Sequence, residues 1–191
     1  MFNKNGIEVV KLIRLCFQLV ILLGFLTACS HTEKHGITAS DLSAPQTWGQ
    51  AQRVSSLKHL YFSDQPDLEA LKTASEKGVV AVINLREPDE ITWDESAAVE
   101  ALGMKYYNIP LVTDSASFDH NVILQIEAAV AEQGHAPVLL HCSSSNRVGA
   151  WLAVHLADKH KMDKEQAIDI GRKAGMTKQE LEDRVKLYWN Q

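Results

Sequence analysis

From residue 57 onward, short apolar runs alternate with longer stretches in which apolar positions recur every three or four residues, and a glycine or proline closes almost every block. Residues 57–62 read as a first strand that stops at Ser63-Asp64-Gln65-Pro66. Leu68 and Leu71 share one face of a helix over 67–77, which Gly78 ends. The run V-V-A-V-I-N-L at 79–85 is apolar almost throughout, as suits a strand covered on both faces. A second helix over 93–102 closes at Gly103, and a strand over 104–109 ends at Pro110. After a loop at 111–117, Val122, Ile123, Ile126 and Val130 place a helix over 118–132, which Gly134 stops ahead of a strand at 138–140. Three more helices follow, over 147–159, 163–173 and 177–188, and the pairs Asp163/Gln166 and Thr177/Glu180 have the spacing of capping boxes. Residues 48–54 fit neither period. Strands alternating with helices predict an α/β domain whose central sheet is mostly parallel and flanked by helices. In such a sheet a ligand crevice lies beyond the carboxyl ends of the strands. Cys142, Arg86 and the loop after Ile109 are expected to meet there.

The N-terminus belongs to a different class. Lys4, Lys11 and Arg14 make a basic start, and 15–26 is an apolar core of 12 residues, short for a bilayer span and right for an export signal. It ends in Leu26-Thr27-Ala28-Cys29, which resembles the bacterial lipoprotein processing box. The resemblance implies a signal peptide at 1–28, lipid on Cys29, and a polar tether over 29–47 leading to a domain over 48–191. Ser30, rather than Asp, follows the cysteine, so the expected address is the outer membrane of a Gram-negative cell, facing the periplasm, held by the acyl chains.

Charge and cysteine usage narrow the chemistry. The chain carries a formal net charge of −5, and loss of Lys4, Glu8, Lys11 and Arg14 with the signal makes it two units more negative. An acidic domain without a basic run is a poor candidate for binding nucleic acid. Of the three cysteines, Cys16 would leave with the signal and Cys29 would be lipidated, so Cys142 is the one free thiol in an oxidising compartment. It stands in V-L-L-H-C-S-S-S-N-R-V-G, a buried strand, a loop of small polar residues and the start of an apolar helix. That arrangement is an anion cradle: the amides of His141, Ser143, Ser144, Ser145 and Asn146 and the helix N-terminus point at one spot. There a thiolate is favoured, and Arg147 adds a planar fork for two oxygens of one anion. The remaining histidines (His31, His35, His59, His120, His135, His155 and His160) are scattered without ligand spacing, so neither a metal site nor another cofactor is expected. Trp93, Trp151 and Trp189 read as packing residues.

Five segments together carry a family resemblance: Gln65-Pro66, V-I-N-L-R at 82–86, Asp94-Glu95, G-M-K-Y-Y-N-I-P at 103–110 and H-C-S-S-S-N-R-V-G-A at 141–150. They resemble the small bacterial tyrosine-phosphatase-like domains, in particular the phosphatase-like part of beta-lactamase-hydrolase-like proteins. The resemblance implies a three-layer, cysteine-dependent phosphatase architecture and hydrolysis through a phosphocysteine, with a phosphorylated small molecule or protein as substrate. Cys142 is then the nucleophile, Arg147 and the loop amides hold the phosphoryl oxygens, and His141 orders the loop. The general acid implied is an Asp after the I-P strand; Asp114 fits, with Asp119 second and better placed to cap the following helix. Arg86 either reaches the crevice or pairs with Glu87 or Glu90, and Asn84 is expected to hydrogen-bond at its strand end.

The loop departs from the tyrosine-phosphatase pattern. Four residues separate Cys142 from Arg147 where five are usual, none is glycine, and Val148 replaces the Ser or Thr that follows the Arg. Four is the spacing of many rhodanese-like sulfurtransferases, which carry a persulfide on the cysteine. Sulfur transfer, and anion or partner binding without turnover, therefore stand beside hydrolysis as readings of the same loop.

Overall fold

The computed structural model of the chain describes residues 36–112, 114 and 116–191. The signal peptide expected at 1–28 and the lipidation expected on Cys29 fall outside the described residues. The folded unit runs over Ile37–Gln191. Its strands are β1 (Gln46–Trp48), β2 (Ala51–Leu57), β3 (Leu60–Ser63), β4 (Ala81–Asn84), β5 (Lys105–Asn108) and β6 (Val138–His141). Its helices are α1 (Leu68–Glu76), α2 (Glu95–Ala101), α3 (His120–Glu132), α4 (Asn146–His160), α5 (Lys164–Lys173) and α6 (Gln179–Tyr188), with single 3-10 turns at Ala39–Asp41 and Pro88–Glu90.

The sheet order is β1-β2-β3-β6-β4-β5. β3, β6, β4 and β5 are parallel, and the β1–β2 and β2–β3 pairs are antiparallel. The mostly parallel sheet expected from the sequence is therefore present, with an antiparallel meander on one edge. β4 and β6 lie at its centre and are buried along their whole length, which is why their sequences show no polar alternation. One face packs under α3, α4, α5 and α6 through Leu140, Ile123, Leu152, Ile168 and Leu181; the other packs under α1 and α2 through Val82, Leu139, Leu71 and Val99. Gly149 on α4 and Gly171 on α5 let those two helices touch backbone to backbone, since a methyl at either would land on the other's carbonyl oxygen.

Three expectations need correction. The strand expected over 57–62 is a hairpin: β2 ends at Leu57, Lys58 turns with φ +56°, and β3 starts at Leu60. Residues 37–47 were expected as tether. Instead Ile37, Ala39 and Leu42 pack against the core, and Ser43 exchanges hydrogen bonds of 2.8 Å with Ser56 of β2. The Thr177/Glu180 capping box does not form. α6 starts at Gln179, and Thr177 turns its N–H and hydroxyl to Asn146. At α5 only half of the expected box is seen, Asp163 accepting from the Gln166 N–H at 3.2 Å.

Candidate active site

Parallel register brings Ser63, Asn84 and Asn108 level with His141 at the carboxyl edge of the sheet. Here the chain leaves β6 through Cys142, Ser143, Ser144 and Ser145 and enters α4 at Asn146. Ser145 is the N-cap, in the left-handed region at φ +64°, and its carbonyl accepts the first helical bond from Gly149 N–H at 2.9 Å. The N–H groups of Asn146, Arg147 and Val148 thus lack helical acceptors and remain for an anion. A left-handed serine stands where a glycine would be the unstrained choice. Gly175, with φ +122°, lies directly against Ser145, so closely that a methyl there would meet the Ser145 Cβ.

Asn146 fastens the loop from outside. Its Oδ1 accepts from the N–H groups of Thr177 and Lys178, at 2.8 and 3.0 Å, while its Nδ2 donates to Ser144 Oγ at 3.3 Å. A bridge between Asp64 and Ser144 joins the other flank to the end of β3.

Cys142 is free and fully buried, at 0% exposure. Arg147, 6% exposed, donates from Nη2 to Ser143 Oγ at 3.2 Å. Its fork is taken: Nη1 donates to Glu90 Oε2 at 2.5 Å and Nη2 to Oε1 at 2.7 Å. Burial opposes the charge on Arg147, but the hydrogen bonds to Glu90 and the neighbouring Cys142 outweigh it and raise its pKa above the ordinary value. The hydrogen bond from Arg147 in turn holds the Glu90 carboxyl below the usual carboxylate range, against the opposing effect of burial. The cleft over the loop, about 170 Å³, is lined by Glu87, Glu90, Ser143, Ser144, Asn146, Arg147, Lys178, Glu180 and Leu181. Cys142 is absent from that lining. The cleft therefore reaches Ser143, Ser144, Asn146 and Arg147 of the loop but not the buried sulfur.

Glu90 is the residue that the sequence reading placed least well. It was one of two candidate partners, with Glu87, for Arg86 if that side chain did not reach the crevice; it gives Arg86 only its backbone carbonyl, while Arg86 also donates to Gln65. The 3-10 turn at Pro88–Glu90 aims the carboxylate, which also accepts from Glu87 N–H at 2.8 Å. Asn84 is the strand-end hydrogen-bonder expected of it, donating from Nδ2 to Glu95 at 2.8 Å and to Tyr106 at 3.0 Å, and accepting from Arg86 N–H at 2.8 Å. His141 is fully buried at the end of β6. Asp119 caps α3, accepting from Asn121 N–H at 2.8 Å. Asp114 lies exposed in the loop after β5 and is not among the residues lining the cleft.

The histidines are less scattered than their spacing suggests. His59, His135, His155 and His160 gather around one cleft of about 520 Å³ with Glu127, among Leu60, Val130 and neighbouring residues. His155 Nδ1 lies 3.0 Å from both Glu127 oxygens and its ring stacks on Trp151. Among the described residues no three His, Cys, Asp or Glu groups are arranged to hold a metal ion.

The family model for the phosphatase-like domain of beta-lactamase hydrolase-like proteins matches residues 55–158. No curated protein matches the chain. Among solved structures, a putative phosphatase (DUF442) from Shewanella putrefaciens CN-32 is 20% identical with a TM-score of 0.57, covering 80% of this chain and 89% of its own. TpbA from P. aeruginosa is 20% identical with a TM-score of 0.58, covering 73% of this chain and 89% of its own. A cysteine-to-serine form of TpbA in complex with phosphotyrosine has the same identity and TM-score, covering 74% of this chain and 87% of its own. At that identity the likeness is one of fold.

Proposed function

The chain belongs to the phosphatase-like domain family of beta-lactamase hydrolase-like proteins, and from that membership we propose that it is a cysteine-dependent phosphatase, cleaving a phosphoester through a phosphocysteine at the periplasmic face of a bacterial membrane. The observation that carries this reading is the Glu90 carboxylate in the fork of Arg147, directly over the loop that holds Cys142. Its two oxygens sit in the fork as two oxygens of a phosphoryl group would, which supports this place as the anion site.

In the first step the Cys142 thiolate attacks phosphorus, the S–P bond forms and the bond to the leaving oxygen breaks. Arg147 and the N–H groups at the start of α4 stabilise the charge spread over the equatorial oxygens. Asp114 gives its proton to the leaving oxygen. In the second step Asp114 takes a proton from water, the water oxygen bonds to phosphorus and the thiolate departs. Neither step calls for a metal or another cofactor. With Cys142 buried and Asp114 outside the cleft lining, both steps require Glu90 to withdraw and the loop after β5 to close over the bound ester. The TpbA complex with phosphotyrosine supports an aryl phosphate as the first substrate class to examine. Lipid on Cys29 would hold the domain at the outer membrane, in reach of periplasmic phosphorylated proteins or small molecules.

The four-residue spacing between Cys142 and Arg147 favours a second reading, sulfur transfer through a Cys142 persulfide. One experiment separates the two. Hydrolysis of p-nitrophenyl phosphate, inhibited by vanadate and lost in Cys142→Ser, with Asp114→Asn lowering kcat, supports the phosphatase. A Cys142 peptide heavier by one sulfur after thiosulfate, without phosphate release, supports the transferase. Vanadate binding with neither reaction leaves an anion-binding domain.

A further inference from the structure

Behind the loop lies a buried carboxylate that this chemistry does not use. Side chains alternate along β6, so Leu140 and Cys142 belong to one face of the sheet, and Leu139 and His141 to the other. On that second face Glu95, the first residue of α2, is 1% exposed. A carboxylate taken fully out of water is costly unless each oxygen has partners. Here each has two: Oε1 lies 2.9 Å from His141 Nε2 and accepts from Gln65 Nε2 at 3.3 Å. Oε2 accepts from Asn84 Nδ2 at 2.8 Å and from the Tyr106 hydroxyl at 3.4 Å. Burial, with Glu95 adding to it, pushes the Tyr106 phenol up to about 12, so it stays a donor.

Among the described residues Asn84, Gln65 and Tyr106 have other side-chain partners, whereas His141 does not. Its Nδ1 is buried without a hydrogen bond, and its Nε2 meets only Glu95, at ion-pair distance though off the straight line of a hydrogen bond. The backbone holds the start of the loop unevenly. His141 carbonyl accepts from Leu85 N–H at 2.9 Å, but Cys142 N–H reaches the Ser63 carbonyl only at 3.4 Å. The orientation of the His141 ring therefore depends on Glu95, and that ring is one peptide from the sulfur.

The geometry points to Glu95 as a positioning residue: its carboxylate, 2.9 Å from His141 Nε2, faces the proton that this nitrogen carries, fixes the ring, and through the next peptide sets how Cys142 is held and how readily it ionises. The inference rests on Cys142 being the nucleophile proposed above. The other charged and titratable groups around the pair are Arg86 through Gln65, Tyr106 from β5, and, across the sheet, Arg147 and Glu90.

The test is the pH profile of Cys142 alkylation by iodoacetamide, read by mass spectrometry of the Cys142 peptide in the full chain, for wild type, Glu95→Gln, His141→Asn and the double variant. Circular dichroism checks that each is folded. Glu95→Gln and His141→Asn should each move the midpoint by about one unit, a tenfold change in ionised sulfur below it, and the double variant should move it no further. A Glu95→Gln profile that coincides with wild type overturns the inference. So does a double variant in which the two shifts add. Ring nitrogen NMR of wild type needs no variant: His141 must carry a proton on Nε2, and a ring protonated on Nδ1 alone overturns the inference. Alkylation does not depend on turnover, so a chain that moves its profile yet hydrolyses nothing defeats the phosphatase reading only. An unmoved profile in an active phosphatase defeats the role of Glu95 only.

Discussion

Glu90 grips Arg147 with two hydrogen bonds, 2.5 and 2.7 Å long, across 57 residues of chain. A phosphoryl group that needs the same guanidinium must displace this carboxylate. Glu90→Gln keeps the shape and removes the charge, so vanadate and inorganic phosphate should bind about tenfold tighter, roughly 1.4 kcal/mol. Isothermal titration in wild type and Glu90→Gln reads this directly. Weaker binding in the variant would make Glu90 a support for Arg147 instead of a competitor for it.

The same contact gives a pH dependence with a defined sign. Arg147 lowers the Glu90 carboxyl below its ordinary value of 4.5, so the contact stabilises the folded chain fully above that value. The stabilisation disappears as pH falls through the lowered value, where Glu90 takes a proton and releases the fork. Urea unfolding followed from pH 6 to pH 3 should show a loss that Glu90→Gln lacks.

Asn146 joins the anion loop to the turn before α6. Asn146→Ala leaves the N–H groups of Thr177 and Lys178 without their acceptor and should cost about 1–3 kcal/mol in urea unfolding. Asn146→Asp keeps an acceptor oxygen there and should recover part of the loss. If the alanine variant unfolds with the wild-type midpoint, Asn146 does not hold the turn.

Gly175 bears on the same loop. Its φ of +122° is one that a side chain rarely adopts, and a methyl would meet Ser145 at the helix N-cap. Gly175→Ala should destabilise by about 2 kcal/mol or more and change vanadate affinity at the same time. A loss of stability with unchanged vanadate binding would mean that the loop absorbs the methyl without moving its amides.

How much of this was legible in the sequence follows from the range of each interaction. Val79–Leu85 and Val138–Leu140 announce central strands because burial on both faces leaves no polar position to hide the run. Cys142, Arg147 and the loop between them share one short segment, so strand, loop and helix start could be read together. The β2–β3 turn escaped because Lys58 takes a left-handed conformation without the glycine or asparagine that usually marks one. Residues 37–47 looked like tether because only Ile37, Ala39 and Leu42 pack, too sparsely for any period. Glu90 and Glu95 escaped for a different reason. In a charged turn and at the start of a helix an acidic residue looks solvated, and only the register of β4 against β6 brings them to Arg147 and His141.

The four clustered histidines carry the last prediction. Burial lowers the pKa of His59 below the ordinary 6.5, with repulsion from His135, His155 and Lys58 adding to it. Burial likewise lowers that of His160, with His155 and Lys58 adding and Glu127 opposing. A histidine with a lowered pKa binds its proton less readily in the folded chain than in the unfolded one. Stability is therefore complete above pH 6.5 and declines as pH falls from 6.5 through the lowered values, because the unfolded chain takes up protons first. The melting temperature should fall between pH 7.5 and pH 5.5, and the double variant His59→Gln/His160→Gln should flatten that slope without changing vanadate binding at Cys142. The cleft of the histidines lies at the amino ends of β3 and β6, away from the anion loop at their carboxyl ends. An unchanged slope in the double variant would overturn this role for His59 and His160.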